Sequence, residues 1–214
     1  MIGLRMDIFP GPDRTDMQRG VALVTCLCLL GAVMIFGVAA ANLATQDERG
    51  ARVERDRQLA FHAAEAALRD AERDIDGTTA VAPDRRRLFL NPGQGNFMPG
   101  CVVGDAHPAQ GLCLPLGAGP AWERVDLADT NPGTAPAVAY GRFSGRKLTT
   151  GLASLPALLP RYIIEALPYR YPGASAEAGA PAWIFRITAI GFGANPAQRV
   201  VLQAIYRTAP PCCP

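Results

Sequence analysis

Histidine and serine are scarce in this chain, and with them most of the usual chemistry. Its 214 residues hold two histidines, His62 and His107, and three serines, Ser144, Ser154 and Ser175. Neither histidine has a metal-ligating neighbour at a useful spacing, and no serine lies in a G-x-S-x-G turn. His107 with Cys113 is the nearest approach to a nucleophile pair. Glu65 and Glu72 share a helix face, but beside several arginines they read as surface ion-pair partners. The GFG at 191–193 lacks the following helix and lysine of a phosphate loop. No catalytic residue, metal site or cofactor is therefore expected. An excess of one charge is also missing: 21 Lys+Arg face 19 Asp+Glu, a formal net charge of +2. That balance excludes an electrostatic case for nucleic acid. The short basic run at 84–88, DRRRL, reads as a solvated turn. No internal repeat is visible, and proline is absent between Asp16 and Ala82.

What the proline-free third contains is an apolar block. Residues 21–41 carry no charge, and 42–45 extend the run. About 20 apolar residues span a bilayer core as a helix, and a helix apolar on every side needs lipid or other apolar helices around it. Three readings compete: a secretory signal, a plain anchor, and a segment cut on its near side and kept. A secretory signal wants a basic n-region and a shorter core. Here Arg5, Arg14 and Arg19 are balanced by Asp7, Asp13 and Asp16. Lys and Arg counts alone, with Arg49, Arg52, Arg55 and Arg57 after the block, would leave the C-terminal side inside, so flank charge does not establish export. Cys26 and Cys28, within the block, read as small apolar residues.

The helical pattern continues beyond the block. Phe61, Ala64, Leu68, Ala71 and Ile75 recur every three or four residues and form one apolar stripe, expected to pack on a sheet. Glu48–Arg52, Arg52–Asp56 and Glu65–Arg69 are spaced for i,i+4 pairs. Alanine is abundant, and Gly77 is a natural stop. Gly50 is the one weak point. A continuous helix of about 56 residues would measure on the order of 84 Å. Further on, residues 122–127, 137–143, 162–166, 183–190 and 200–207 have strand character. The last two, joined by GFGANPAQ, predict an antiparallel hairpin. In the final strand Val200, Leu202, Ala204 and Tyr206 form the more apolar face, expected toward the helix. Helix first and strands later predict an α+β layer arrangement. Residues 77–120 show no element longer than a turn or two, and a loop of that length is functional or tied down.

Two stretches carry a family resemblance: QRG–VAL at 18–23, and RDRQLAFHAAEAALRDAE at 55–72. With GLC at 111–113, RYIIEAL at 161–167, FRITAIGFG at 185–193 and VVLQAIYR at 200–207, the chain resembles type IV pilins, and more closely the PilX-type minor pilins. The resemblance implies a type IV pilin-like α+β fold: a long N-terminal helix, membrane-spanning in its first half, on an antiparallel sheet of four to five strands. It implies a cytoplasmic leader at 1–20, cut by a prepilin peptidase between Gly20 and Val21. It further implies a membrane and filament-core helix at 21–44, an amphipathic half at 45–76, a loop region at 77–120, a sheet at 121–208 and a tail at 209–214. Met6 or Met17 as the start would shorten the leader. Thr25 stands at the fifth mature position, where major pilins have a glutamate; this suits a sparse or tip-located subunit. The implied partners are other minor pilins, the assembly machinery and the peptidase. The implied location is the inner membrane with the C-terminal domain in the periplasm, then the pilus. In such an oxidising compartment, Cys101 and Cys113 are expected to form a disulfide, closing a loop valued at about 3 kcal/mol. For Cys212 and Cys213, adjacent and so poor partners for each other, a disordered tail and intermolecular bridging both stay open. A membrane-anchored or secreted periplasmic binding domain and a type II secretion pseudopilin are the competing readings.

Overall fold

The computed structural model describes residues 19–77, 81–82, 84–90, 92, 95–115, 117, 119–151, 154–169 and 182–207. Its first element is a single helix, α1, Arg19–Asp76. The absence of proline and the density of alanine allow that length, and Gly50, with nothing within 4 Å of where a Cβ would stand, does not interrupt it. Gly77, at φ 64°, ends it, its N–H donating to the carbonyl of Arg73 at 3.0 Å. The chain divides into two compact units, Met1–Arg52 and Val53–Pro214. The first is represented by the helix alone.

The second unit contains a six-stranded sheet. A short helix α2, Arg86–Leu90, precedes β1, Met98–Pro99, and β2, Leu112–Leu114. They are followed by β3, Val138–Ala139, β4, Arg161–Tyr169, β5, Ala182–Phe192, and β6, Arg199–Tyr206. The path is β1-β2-β4-β5-β6, with β3 also on β4. The expected hairpin is β5–β6, antiparallel with Phe185 opposite Tyr206 and Phe192 opposite Arg199. The sheet departs from the expected four or five antiparallel strands in two ways. It has six strands, and the β1–β2 and β2–β4 pairs are parallel. Strands β1 and β2, of two and three residues, are too short to show a period of two, so they left no sequence signal. Residues 122–127 are not a strand: Ala121–Glu123 is a 3-10 turn. Its apolar residues are apolar because Trp122 and Val125 cover the sheet.

Both sheet faces are covered. One bears Tyr162, Ile164, Ala166, Phe185, Ile187 and Ala189 and meets Ala67, Ala71 and Ile75 of α1 in the main core. Phe89 and Phe97 complete that core with edge-on and stacked rings around Phe185. The opposite face, with Ile163, Ile190 and Phe192, is roofed by Cys101, Cys113, Ala121, Leu127 and Ala137. Strand β6 alternates exposed and half-buried residues, with Val200, Leu202, Ala204 and Tyr206 on the half-buried side, as its pattern predicts.

Candidate assembly helix and its junction with the domain

Along the N-terminal half of α1 the apolar side chains have nothing to pack on. Val21, Leu23, Leu27, Leu30, Ile35 and Phe36 are all exposed, Phe36 at 73 %. The segment is long and apolar enough to cross a membrane, and none of its most apolar window is buried. Exposing so much apolar surface to water is unfavourable at roughly 25 cal/mol per Å². The segment is therefore built for lipid or for other apolar helices. Its threonine hydroxyls are satisfied within the helix: that of Thr25 donates to the Ala22 carbonyl at 2.9 Å, and that of Thr45 to that of Asn42 at 2.8 Å. Thr25 thus requires no outside partner in an apolar setting, unlike a carboxylate at that position. Cys26 and Cys28 are free and exposed. Gly20 and Val21 lie in the first turn of α1, both exposed, while residues 1–18 of the expected leader lie outside the described residues.

In the second half of α1 one face is closed over. Ala60, Ala63, Ala64, Ala67, Ala71 and Ile75 are buried. Their small side chains let the helix lie close to the sheet. At Gly191 in β5 the approach is so near that an added Cβ would fall inside the shells of the Ala60 carbonyl oxygen and the Ala64 nitrogen. Of the predicted packing residues, Ala64, Ala71 and Ile75 are buried and Leu68 is partly buried against the core. Phe61 is the correction: it is 41 % exposed, its ring edge-on to that of His62. The stripe turns gradually about the helix, because residues spaced by three and four do not return to one angle at 3.6 per turn. Toward its start the contact centres on Ala60 and Ala64, and Phe61 falls outside it.

The stripe also carries two carboxylates, Asp70 and Asp74, almost wholly buried. Asp74 receives both carboxylate hydrogen bonds from Arg85 Nε, at 2.6 and 2.8 Å, and one from the Tyr162 hydroxyl at 3.0 Å. Arg85 also donates to the carbonyls of Pro108 and Gln110 and lies over the Phe143 ring, 3.5 Å from its centroid. The solvated turn expected at 84–88 is thus corrected. Arg86 and Arg87 are exposed, but Arg85 is only 4 % exposed and ties helix, β2 approach and β4 together. Burial pushes the Asp74 carboxyl up from its ordinary value, against the opposing Arg85 and Tyr162 contacts. Burial, then Asp74, pushes the Tyr162 hydroxyl well above the usual tyrosine range. Asp70 accepts from the Gly141 N–H at 2.8 Å and from Ser144. Asp56 accepts the N–H groups of Ala194 and Asn195 in the β5–β6 turn, so it does not pair with Arg52. Glu65 faces His62 at 3.4 Å instead of Arg69. Of the three expected i,i+4 pairs, Glu48–Arg52 forms, at 2.5 Å. Asp70 and Asp74 carried no expectation from the sequence, and Arg85 was expected only in a solvated turn. The available signal was phase: 67, 70, 71, 74 and 75 follow one helical face, so those acids stand inside the apolar stripe.

Cys101 and Cys113 are joined in a disulfide. It lies in the second core, under Ile163 and Ile190, and fixes the segment just after β1 against β2. On the same sheet face buried Glu165 accepts the Ala121 N–H at 3.0 Å and pairs with Arg186, its register partner, at 2.6 Å. Among the described residues no group of three or more His, Cys, Asp or Glu could hold a metal. Cys212 and Cys213 lie outside the described residues.

Two family models match. Residues 19–69 match the PilX N-terminal family, and residues 109–208 match the C-terminal family of type IV pilus assembly protein PilX. Neither the curated proteins nor the solved structures give a match. The N-terminal match covers the exposed apolar helix and much of its packed half; the C-terminal one covers all of β2 to β6. With that helix, that sheet and both matches in sequence order, the chain belongs to the PilX family of type IV pilus assembly proteins, a structural family of minor pilins.

Proposed function

We propose that this minor pilin is cut between Gly20 and Val21 by a prepilin peptidase and keeps its apolar helix as the mature N-terminus. The helix is held first in the inner membrane, with the C-terminal domain on the periplasmic side. It then moves into the core of a type IV pilus among other minor pilins. There it takes part in priming assembly or in capping the tip, and so supports motility or adhesion. The observation that supports this reading is the make-up of α1. Largely exposed apolar residues at 21–44 continue in one helix, with no flexible linker, into residues buried on a sheet. Thr25, with its hydroxyl satisfied inside its own helix, fits a subunit that does not repeat along the shaft.

The test is the mature N-terminus in cells with and without the peptidase. Val21 is expected with it and an uncut chain without it, and Gly20→Leu should block cutting. A start near residue 42, or no cutting in either strain, would overturn the proposal in favour of a signal or a plain anchor. Recovery of the cut chain with secretion pseudopili instead of sheared pili would overturn its assignment to the pilus.

A further inference from the structure

Outside the helix seam, one face of the domain gathers cations. A cleft of about 280 Å³ is lined by His62, Glu65, Arg69, Arg73, Tyr140 and Arg146. Four of these come from successive turns of α1; Tyr140 and Arg146 come from the loop after β3. That loop is pinned from below by buried Asp70, which holds the Gly141 N–H and Ser144, while Gly145 N–H closes back on the Gly141 carbonyl at 2.7 Å. Arg146 Nε donates to the Tyr140 hydroxyl at 3.2 Å, and Arg73 donates to the Arg69 carbonyl at 3.3 Å. Two of the three guanidinium groups are therefore each oriented by a hydrogen bond to a neighbour.

Among the described residues, no carboxylate forms an ion pair with Arg69, Arg73 or Arg146. The single acid in the lining, Glu65, faces His62. Elsewhere in this domain Arg85 and Arg186 do have carboxylate partners, Asp74 and Glu165. Like charges brought together repel, and planar guanidinium forks recognise carboxylate and phosphate oxygens through paired hydrogen bonds. The volume admits a group the size of one or two side chains. The chain's near-balance of charge gives no long basic track for a polyanion.

We propose that this cleft is a socket for one or two carboxylates from an acidic segment of another protein, with Arg69, Arg73 and Arg146 as its donors and Tyr140 positioning Arg146. The socket stands on this geometry and does not depend on cleavage at Gly20 or on entry into a filament.

The full chain in detergent micelles is titrated calorimetrically with a hexaglutamate peptide and, separately, with inorganic phosphate. Hexaglutamate is expected to bind, to weaken as salt rises from 50 to 300 mM, and to bind at least tenfold more weakly to Arg69→Gln/Arg73→Gln/Arg146→Gln. Should the triple variant fail to fold, Arg146→Gln alone is expected to weaken binding about threefold. Arg199→Gln, on β6, should bind as the parent does. No peptide binding up to millimolar concentration, or equal binding by the parent and the folded arginine variant, would overturn the proposal. Phosphate binding without peptide binding would overturn the acidic partner and assign the cleft to a small free anion.

Discussion

The two halves of α1 obey the same helical geometry and opposite packing rules. Over 21–44 every face is apolar and exposed. Over 53–76 one face is buried, and that face is mostly alanine, with two carboxylates in it. The first half specifies its surroundings only by chemistry and accepts any apolar neighbour. The second specifies them by shape and charge: small side chains set a close approach, and Asp70 and Asp74 fit donors at fixed places in the loops and sheet. One half is interchangeable between environments; the other is committed to a single partner, its own sheet.

The comparison breaks hardest at Asp74. Asp74→Ala would leave the Arg85 guanidinium buried without its carboxylate, at a cost of about 3–5 kcal/mol. Asp74→Leu with Arg85→Met should restore most of that stability, and chemical denaturation of the set would show it. Gly191→Val follows, since its side chain would strike helix backbone that cannot yield; overpacking costs roughly 1–3 kcal/mol or more, read as a lower denaturation midpoint. Replacing Cys101 and Cys113 by serine should cost about 3 kcal/mol by the loop-entropy argument, with the loss equalled in the parent by adding a reductant. A matching substitution in the exposed half, Val33→Ala, should leave the domain's stability unchanged and alter only partition into membrane, read by flotation.

Reading α1 from sequence succeeded where composition decides and failed where pairing does. The apolar block, the stop at Gly77, the β5–β6 hairpin with its inward Leu202 and Ala204, and the Cys101–Cys113 bridge were all legible. So was most of the stripe: Ala64, Ala71 and Ile75 needed only periodicity. Phe61 misled because a large apolar side chain outweighs alanine in any pattern count, whereas the close helix–sheet approach favours the smaller residue. Arg85 was hidden because three consecutive arginines look solvated until a buried acid is known to face one of them. Strands β1 and β2 were hidden because their pairing is made by distant partners and not by their own two or three residues; β3 falls inside the strand read at 137–143. The cleft at Arg69, Arg73 and Arg146 was equally out of reach, since Arg146 is brought there by the loop that Asp70 holds.

The smallest expected effect sharpens the join between helix end and sheet edge. The Tyr206 hydroxyl donates to Asp76 at 2.8 Å, and burial, then Asp76, raises it to about 12. A group with a raised folded-state value contributes stability that is complete below its unfolded value, about 10 for tyrosine. That contribution is lost as pH climbs to about 12. Tyr206→Phe should therefore flatten the decline between those two values. The larger shift at Tyr162 has the same sign and leaves a residual slope in the variant.

Amide hydrogen exchange along α1 in the full chain, inserted in lipid nanodiscs, tests most directly whether the two halves are one helix. The account predicts slowed exchange without a gap from residue 21 through residue 76, including 47–57 around Gly50. Exchange at unstructured-chain rates across 47–57, with protected helix on both sides, would contradict it.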